Sequence, residues 1–158
     1  MNLPKNLLYG YNWYSQKNLI LQPKYKDSII LTADTVVSVG RRILPKTTDV
    51  KMAEDCLRLI SGRRHKVLTS FAIHSPNKNL KVKTVVSVVK FKRLHEEEIK
   101  YYLDTNEWEG KAGGYAIQGV AASFVNFLSG SYSNVMGLPL AELYRALLSI
   151  GYQFKNAK

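Results

Sequence analysis

Four short stretches of this chain of 158 residues hold side chains that could do chemistry. The first is SIILTADTVVSVG, residues 28–40, where one carboxylate, Asp34, stands inside an apolar run. An unpaired buried carboxylate is costly and tends to take up a proton, so Asp34 calls for a partner. A carboxylate at a strand end can orient a water or hold a divalent cation; it can also simply bond to the adjacent turn. Second come Arg41, Arg42 and Lys46, cations that suit phosphate groups or a solvated turn. The third stretch is KAGGYAIQG, residues 111–119. Its glycines let backbone N–H groups approach a ligand, Lys111 adds a point charge, and the Gln118 amide can pair with a base edge. It lacks both the GK[ST] ending of a Walker loop and the G-x-G-x-x-G dinucleotide pattern, and a plain connector is the alternative. The fourth is GSYSNVMGLPL, residues 130–140, in which Ser131, Ser133 and Asn134 lead into a helix N-terminus. Such an end binds anions, or the polar residues only cap it. His65, His74 and His95 show no metal-ligand spacing, and no nucleophile–histidine arrangement emerges.

The elements that must position these residues follow from periodicity. Ile29–Val39 predicts a strand ended by Gly40. Thr48 or Asp49 caps a helix carrying Met52, Ala53, Cys56, Leu57 and Ile60 at helical spacing, stopped at Ser61-Gly62. His65–Ile73 and Leu80–Phe91 predict a hairpin across Ser75–Asn79. Glu96, Glu97 and Glu98 favour a helix start, with Ile99, Tyr102 and Leu103 inward. Ala122–Leu128 predicts a strand. A last helix starts near Pro139 with Leu140, Leu143, Tyr144, Leu147 and Leu148 as its apolar stripe, and ends at Gly151. Strands and helices intermix, so the class is α/β or α+β with a mixed sheet.

Composition narrows the class further. Apolar residues are 46% of the chain, enough for a core, and its length suits one domain. No apolar run reaches the roughly 18 residues of a membrane span. The start MNLPKNLLYGYNWY has no h-region or cleavage site, so no signal peptide is expected. With the single cysteine, Cys56, buried in a helix, a reducing cytoplasm is the expected setting. The net charge is +11, which suits a polyanionic partner (nucleic acid, a membrane surface or phosphates) or is merely basic composition. Residues 1–26 contain no acid and interleave Lys5, Lys17, Lys24 and Lys26 with Tyr9, Tyr11, Trp13, Tyr14 and Tyr25, unlike the rest.

Taken in order, ADTVV, the Gly-Arg-Arg-Ile-Leu-Pro-Lys turn, LISGRRHKV, KAGGYAIQG and GSYSNVMGLPL resemble the Maf family of nucleotide pyrophosphatases, from about Ser28 to Gly151. The resemblance implies an α/β fold with an elongated, curved, mixed sheet, flanking helices and a central cleft, related to inosine triphosphate pyrophosphatases. It implies hydrolysis of nucleoside triphosphates to the monophosphate and diphosphate with a divalent cation, Mg²⁺ or Mn²⁺, and homodimers are common in the family. Asp34 matches the family's general base. Thr35 and Gln118 match its base-selecting pair, in the combination of the branch acting on dTTP and UTP. Lys46 and Lys111 match its phosphate-site lysines, although Pro45 and Thr47 flank the former and Gly110 replaces an Asp before the latter. The family's Ser-x-Ser-Pro-Arg-Arg motif does not occur, so the expectation is an N-terminally truncated domain: 1–26 as a divergent segment and 27–158 as a partial Maf-like domain. The alternative to an active enzyme is a catalytically impaired remnant that binds nucleotides or nucleic acid.

Overall fold

The computed structural model describes residues 17, 20–25, 27–76 and 78–154. The segment 1–26 that composition sets apart therefore lies largely outside the described residues. Five strands form one sheet in the order β2-β1-β3-β4-β5, every described pairing antiparallel: β1 Ile30–Val39, β2 Arg42–Leu44, β3 Arg64–His74, β4 Lys81–Phe91 and β5 Val125–Ser129. Among the described residues the helices α1 Val50–Ile60, α2 Glu96–Asp104, α3 Tyr132–Met136 and α4 Leu140–Ser149 accompany it. No helix among the described residues is long and apolar enough to cross a membrane.

Local chemistry sets most boundaries. Gly40, at φ +55°, turns β1 into β2 within two residues, and a two-residue hairpin needs positive φ at its first central position. Asp49 caps α1, accepting the Met52 N–H at 2.7 Å. The Glu98 carboxylate returns to the His95 N–H at 3.0 Å at the start of α2. β3 and β4 pair over ten residues from Arg64↔Lys90 to Ile73↔Lys81.

Three expectations are corrected. Met52 is 45% exposed, whereas Ala53, Cys56, Leu57 and Ile60 are buried; Met52 lies a helical step of about 100° from Ala53, at the edge of the stripe. The strand expected over Ala122–Leu128 begins only at Val125, because Val120–Phe124 is a 3₁₀ turn. Ala121 and Phe124, three apart, eclipse there and are both buried. On α4 only Leu143 is buried; Leu140, Tyr144 and Leu148 are exposed. This helix covers one end of the sheet, where Leu143 and Ile150 pack on Phe71 and Ile73, so one edge of its wide stripe finds a partner, and Tyr144 instead stacks on Phe154 at 4.7 Å.

That packing divides one face of the sheet. Val67 belongs to the main core with α1, α2, Trp108, Tyr115 and Phe124, whereas Phe71 belongs to the smaller cluster under α4. Residues of the same face recur every second position, so the boundary on β3 falls at Thr69. Its cross-strand partner on β1 is Thr35.

Candidate active site

The first question is what the carboxylate in the apolar strand does. β1 is less buried than its composition suggests: Leu31 is 41% exposed and Ala33 is exposed too, although Val37 is buried. Asp34 keeps 21% of its side chain exposed, and its Oδ1 accepts the Thr35 N–H at 2.8 Å. Its ion partner is Lys46, whose ammonium bonds the same oxygen. Asp34 is thus a paired carboxylate at the wall of a cleft, not an isolated charge in a core.

Lys46 reaches that position because the chain after β2 is tied to the glycine loop. Lys46 and Ala112 form an isolated antiparallel bridge, Gly110 N–H donates to the Thr47 carbonyl at 2.9 Å and Gly113 N–H to the Pro45 carbonyl at 3.2 Å. Gly113, at φ +73°, packs so closely on Val37 that a Cβ there would stand 2.9 Å from its Cγ1. The far half of the loop is pinned as well. Ala116 N–H donates to the Tyr102 hydroxyl at 2.9 Å, and the Tyr115 hydroxyl meets His65 Nε2 at 2.8 Å. Burial pushes the His65 imidazole down to about 4, so it is neutral at pH 7, and pushes the Tyr115 phenol up. KAGGYAIQG is therefore a held loop rather than a loose connector.

The result is one cleft of about 260 Å³ lined by Asp34, Thr35, Lys46, Lys111 and Gln118 together. Side chains from positions 34 to 118 converge there although no single element carries them. A carboxylate, two ammonium groups, a hydroxyl and an amide lining one cleft can bind an anion, accept a proton and read a polar ring edge. The other residues singled out from sequence fall elsewhere. Arg42 lines a separate groove with Lys51, Cys56 and Arg63, and Arg41 is exposed on the turn. Burial raises the Cys56 thiol. In GSYSNVMGLPL two serines serve as caps, Ser131 Oγ accepting the Asn134 N–H at 3.2 Å and Ser133 Oγ the Leu140 N–H at 3.1 Å, whereas the buried Asn134 side chain donates to the Val67 carbonyl and Ser87 Oγ.

Sequence reasoning missed Tyr115, Met136 and Gly137 in the cleft wall, and Thr69 behind it. Thr69 is fully buried and sits directly across from Thr35. Only the β1–β3 register, which spans the whole of α1, reveals that pairing.

Comparison with known proteins identifies the family. The family model described as Maf-like protein matches residues 12–150, beginning inside the segment that composition sets apart. A dTTP/UTP pyrophosphatase of Wolbachia sp. subsp. Drosophila simulans (strain wRi) is 50% identical over 153 residues, 96% of this chain and 76% of that protein. The dTTP/UTP pyrophosphatases of Chelativorans sp. (strain BNC1) and Nitrobacter winogradskyi are 53% and 55% identical over 128 and 124 residues. Of those two relatives the chain spans 61% and 60% of the length. A cleft built from these motifs, and a family match across nearly the whole chain, lead to one conclusion: this chain belongs to the Maf-like family.

Proposed function

We propose that the chain is a nucleoside triphosphate pyrophosphatase that splits dTTP and UTP into the nucleoside monophosphate and diphosphate, removing surplus or damaged nucleotides in the cytoplasm. The observation that carries this reading is the single cleft in which Asp34, Lys46 and Lys111 stand with Thr35 and Gln118. A triphosphate brings about four negative charges, and preorganised cations are the main means of stabilising them as the leaving diphosphate gains charge. Lys46 and Lys111 supply two such cations. Lys46 is already bonded to Asp34; phosphate draws it away and leaves the Asp34 carboxylate as acceptor for the proton of the attacking water. Water oxygen bonds to the α-phosphorus, the bond to the bridging oxygen breaks, and diphosphate departs. Thr35 and Gln118 meet the base edge.

Among the described residues no group of three His, Cys, Asp or Glu side chains comes together, and Asp34 is the carboxylate of the cleft wall. One carboxylate plus substrate phosphates is a common way to hold Mg²⁺. Asp34 is the residue that would share a divalent cation with the phosphates, and the cation would offset their charge.

The test is diphosphate release from dTTP and UTP with Mg²⁺ or Mn²⁺, with EDTA as the metal-free arm. Wild type is expected to turn over both nucleotides, EDTA to stop it, and Asp34→Asn to lose at least about a hundredfold in rate, the scale of general-base catalysis. Equal rates for wild type and Asp34→Asn would refute the assignment.

A further inference from the structure

A threonine hydroxyl can donate one hydrogen bond and accept others, so Thr35 alone does not say what it offers a base. Its neighbours decide. Thr69 Oγ1 donates to the backbone carbonyl of Asn134 at 2.9 Å. A carbonyl has no proton to give, so the one hydroxyl proton of Thr69 is committed. Thr35 Oγ1 and Thr69 Oγ1 lie 2.9 Å apart; the proton between them must then belong to Thr35. With that proton turned inward, Thr35 shows the cleft lone pairs only.

The acceptor that starts this chain is itself immobile. Asn134 is fully buried, its Nδ2 donates to the Val67 carbonyl at 3.1 Å and to Ser87 Oγ at 2.9 Å, and its N–H is held by the Ser131 cap. Two strands and the start of α3 thus hold the carbonyl that Thr69 bonds.

We propose that Thr69 is a positioning residue: together with the Asn134 carbonyl it fixes Thr35 as an acceptor, so the cleft selects a pyrimidine carrying a ring N–H over one carrying a ring nitrogen lone pair. The proposal rests on the nucleotide reading above and deepens it. Uracil and thymine have N3–H, which Thr35 can accept. Cytosine presents an unprotonated N3, and two acceptors face to face lose the bond and repel. A site with buried polar groups left unpaired discriminates strongly.

The experiment compares kcat/KM for UTP and CTP, and UMP and CMP binding by calorimetry, in wild type, Thr69→Val and Thr69→Ser. Wild type is expected to favour the uracil nucleotide by at least about tenfold, the worth of one such bond. Thr69→Val frees the Thr35 proton to turn toward cytosine N3, and the preference should fall by on the order of tenfold. Thr69→Ser keeps the relay and should keep the ratio. If Thr69→Val does not fold, Thr35→Val carries the test, because removing the acceptor must also collapse the ratio. A wild type indifferent between the two bases, or a folded valine variant with the wild-type ratio, overturns the role of Thr69 and leaves the pyrophosphatase reading standing. A wild type that neither binds UMP nor cleaves UTP overturns that reading, and this inference with it.

Discussion

Replacing Gly113 by alanine tests whether the glycine loop is held as tightly as its contacts indicate. Two costs add. At φ +73° an L side chain is in the left-handed region, which costs about 1 kcal/mol or slightly more. The new Cβ would also stand 2.9 Å from Val37 Cγ1, 3.0 Å from its Cβ and 3.2 Å from its Cγ2. Val37 is 2% exposed and packed in the main core, so it has little room to yield, and overpacking of this kind costs roughly 1–3 kcal/mol. The total is about 3 kcal/mol, a fall in Tm of roughly 6–12 °C for a chain of this size. Gly110 supplies the control. Its φ is +66° but nothing lies within 4 Å of a built Cβ, so Gly110→Ala bears the conformational cost alone, about 1 kcal/mol. Thermal and urea unfolding of both variants read the difference directly. Adding Val37→Ala to Gly113→Ala should recover part of the loss, giving a coupling of about 1–2 kcal/mol in a double-mutant cycle. Equal destabilisation by the two glycine substitutions, or strict additivity with Val37→Ala, would refute the steric account and with it the claim that Gly113 fixes the loop bearing Lys111 and Gln118.

Two further outcomes are expected. His65, 2% exposed, has its imidazole pushed down by burial to about 4 from an ordinary 6.5. The unfolded chain therefore takes up this proton first, and the stability is present above pH 6.5 and lost as pH falls toward 4. The full effect is roughly 3 kcal/mol, so the stability difference between wild type and His65→Phe should shift against wild type by about that much from pH 7 to pH 4; a constant difference would contradict it. Asp49→Ala removes the cap that accepts the Met52 N–H at 2.7 Å and should cost about 1 kcal/mol, or roughly 2–4 °C in Tm. Asp49→Ser retains an acceptor and should keep most of that stability, and indistinguishable melts for alanine and serine would count against the cap.

Much of this architecture was legible one element at a time. The cap at Asp49, the turn at Gly40 and the β3–β4 hairpin follow from residue types at short spacing, because the interactions that form them join near neighbours. Position 120–124 and α4 were less legible. VAASF suits a strand or a 3₁₀ turn equally, and burial of Ala121 and Phe124 on one side chose the turn. The leucines and tyrosine of α4 fill a wide stripe, and nothing in their spacing says that only one edge of it would meet the sheet.

The candidate site divides in the same way. Sequence by itself determined which side chains had suitable chemistry, namely a carboxylate in ADTVV, lysines in two turns and an amide in AIQG. Their family resemblance rested on those motifs in order. Tertiary structure alone decided that they share one cleft, since the Lys46–Ala112 bridge joins segments far apart in the chain. It also decided what Thr35 offers a ligand. A hydroxyl's polarity depends on where its proton goes, and that was settled by Thr69 and the Asn134 carbonyl, brought beside Thr35 by strand register and helix packing.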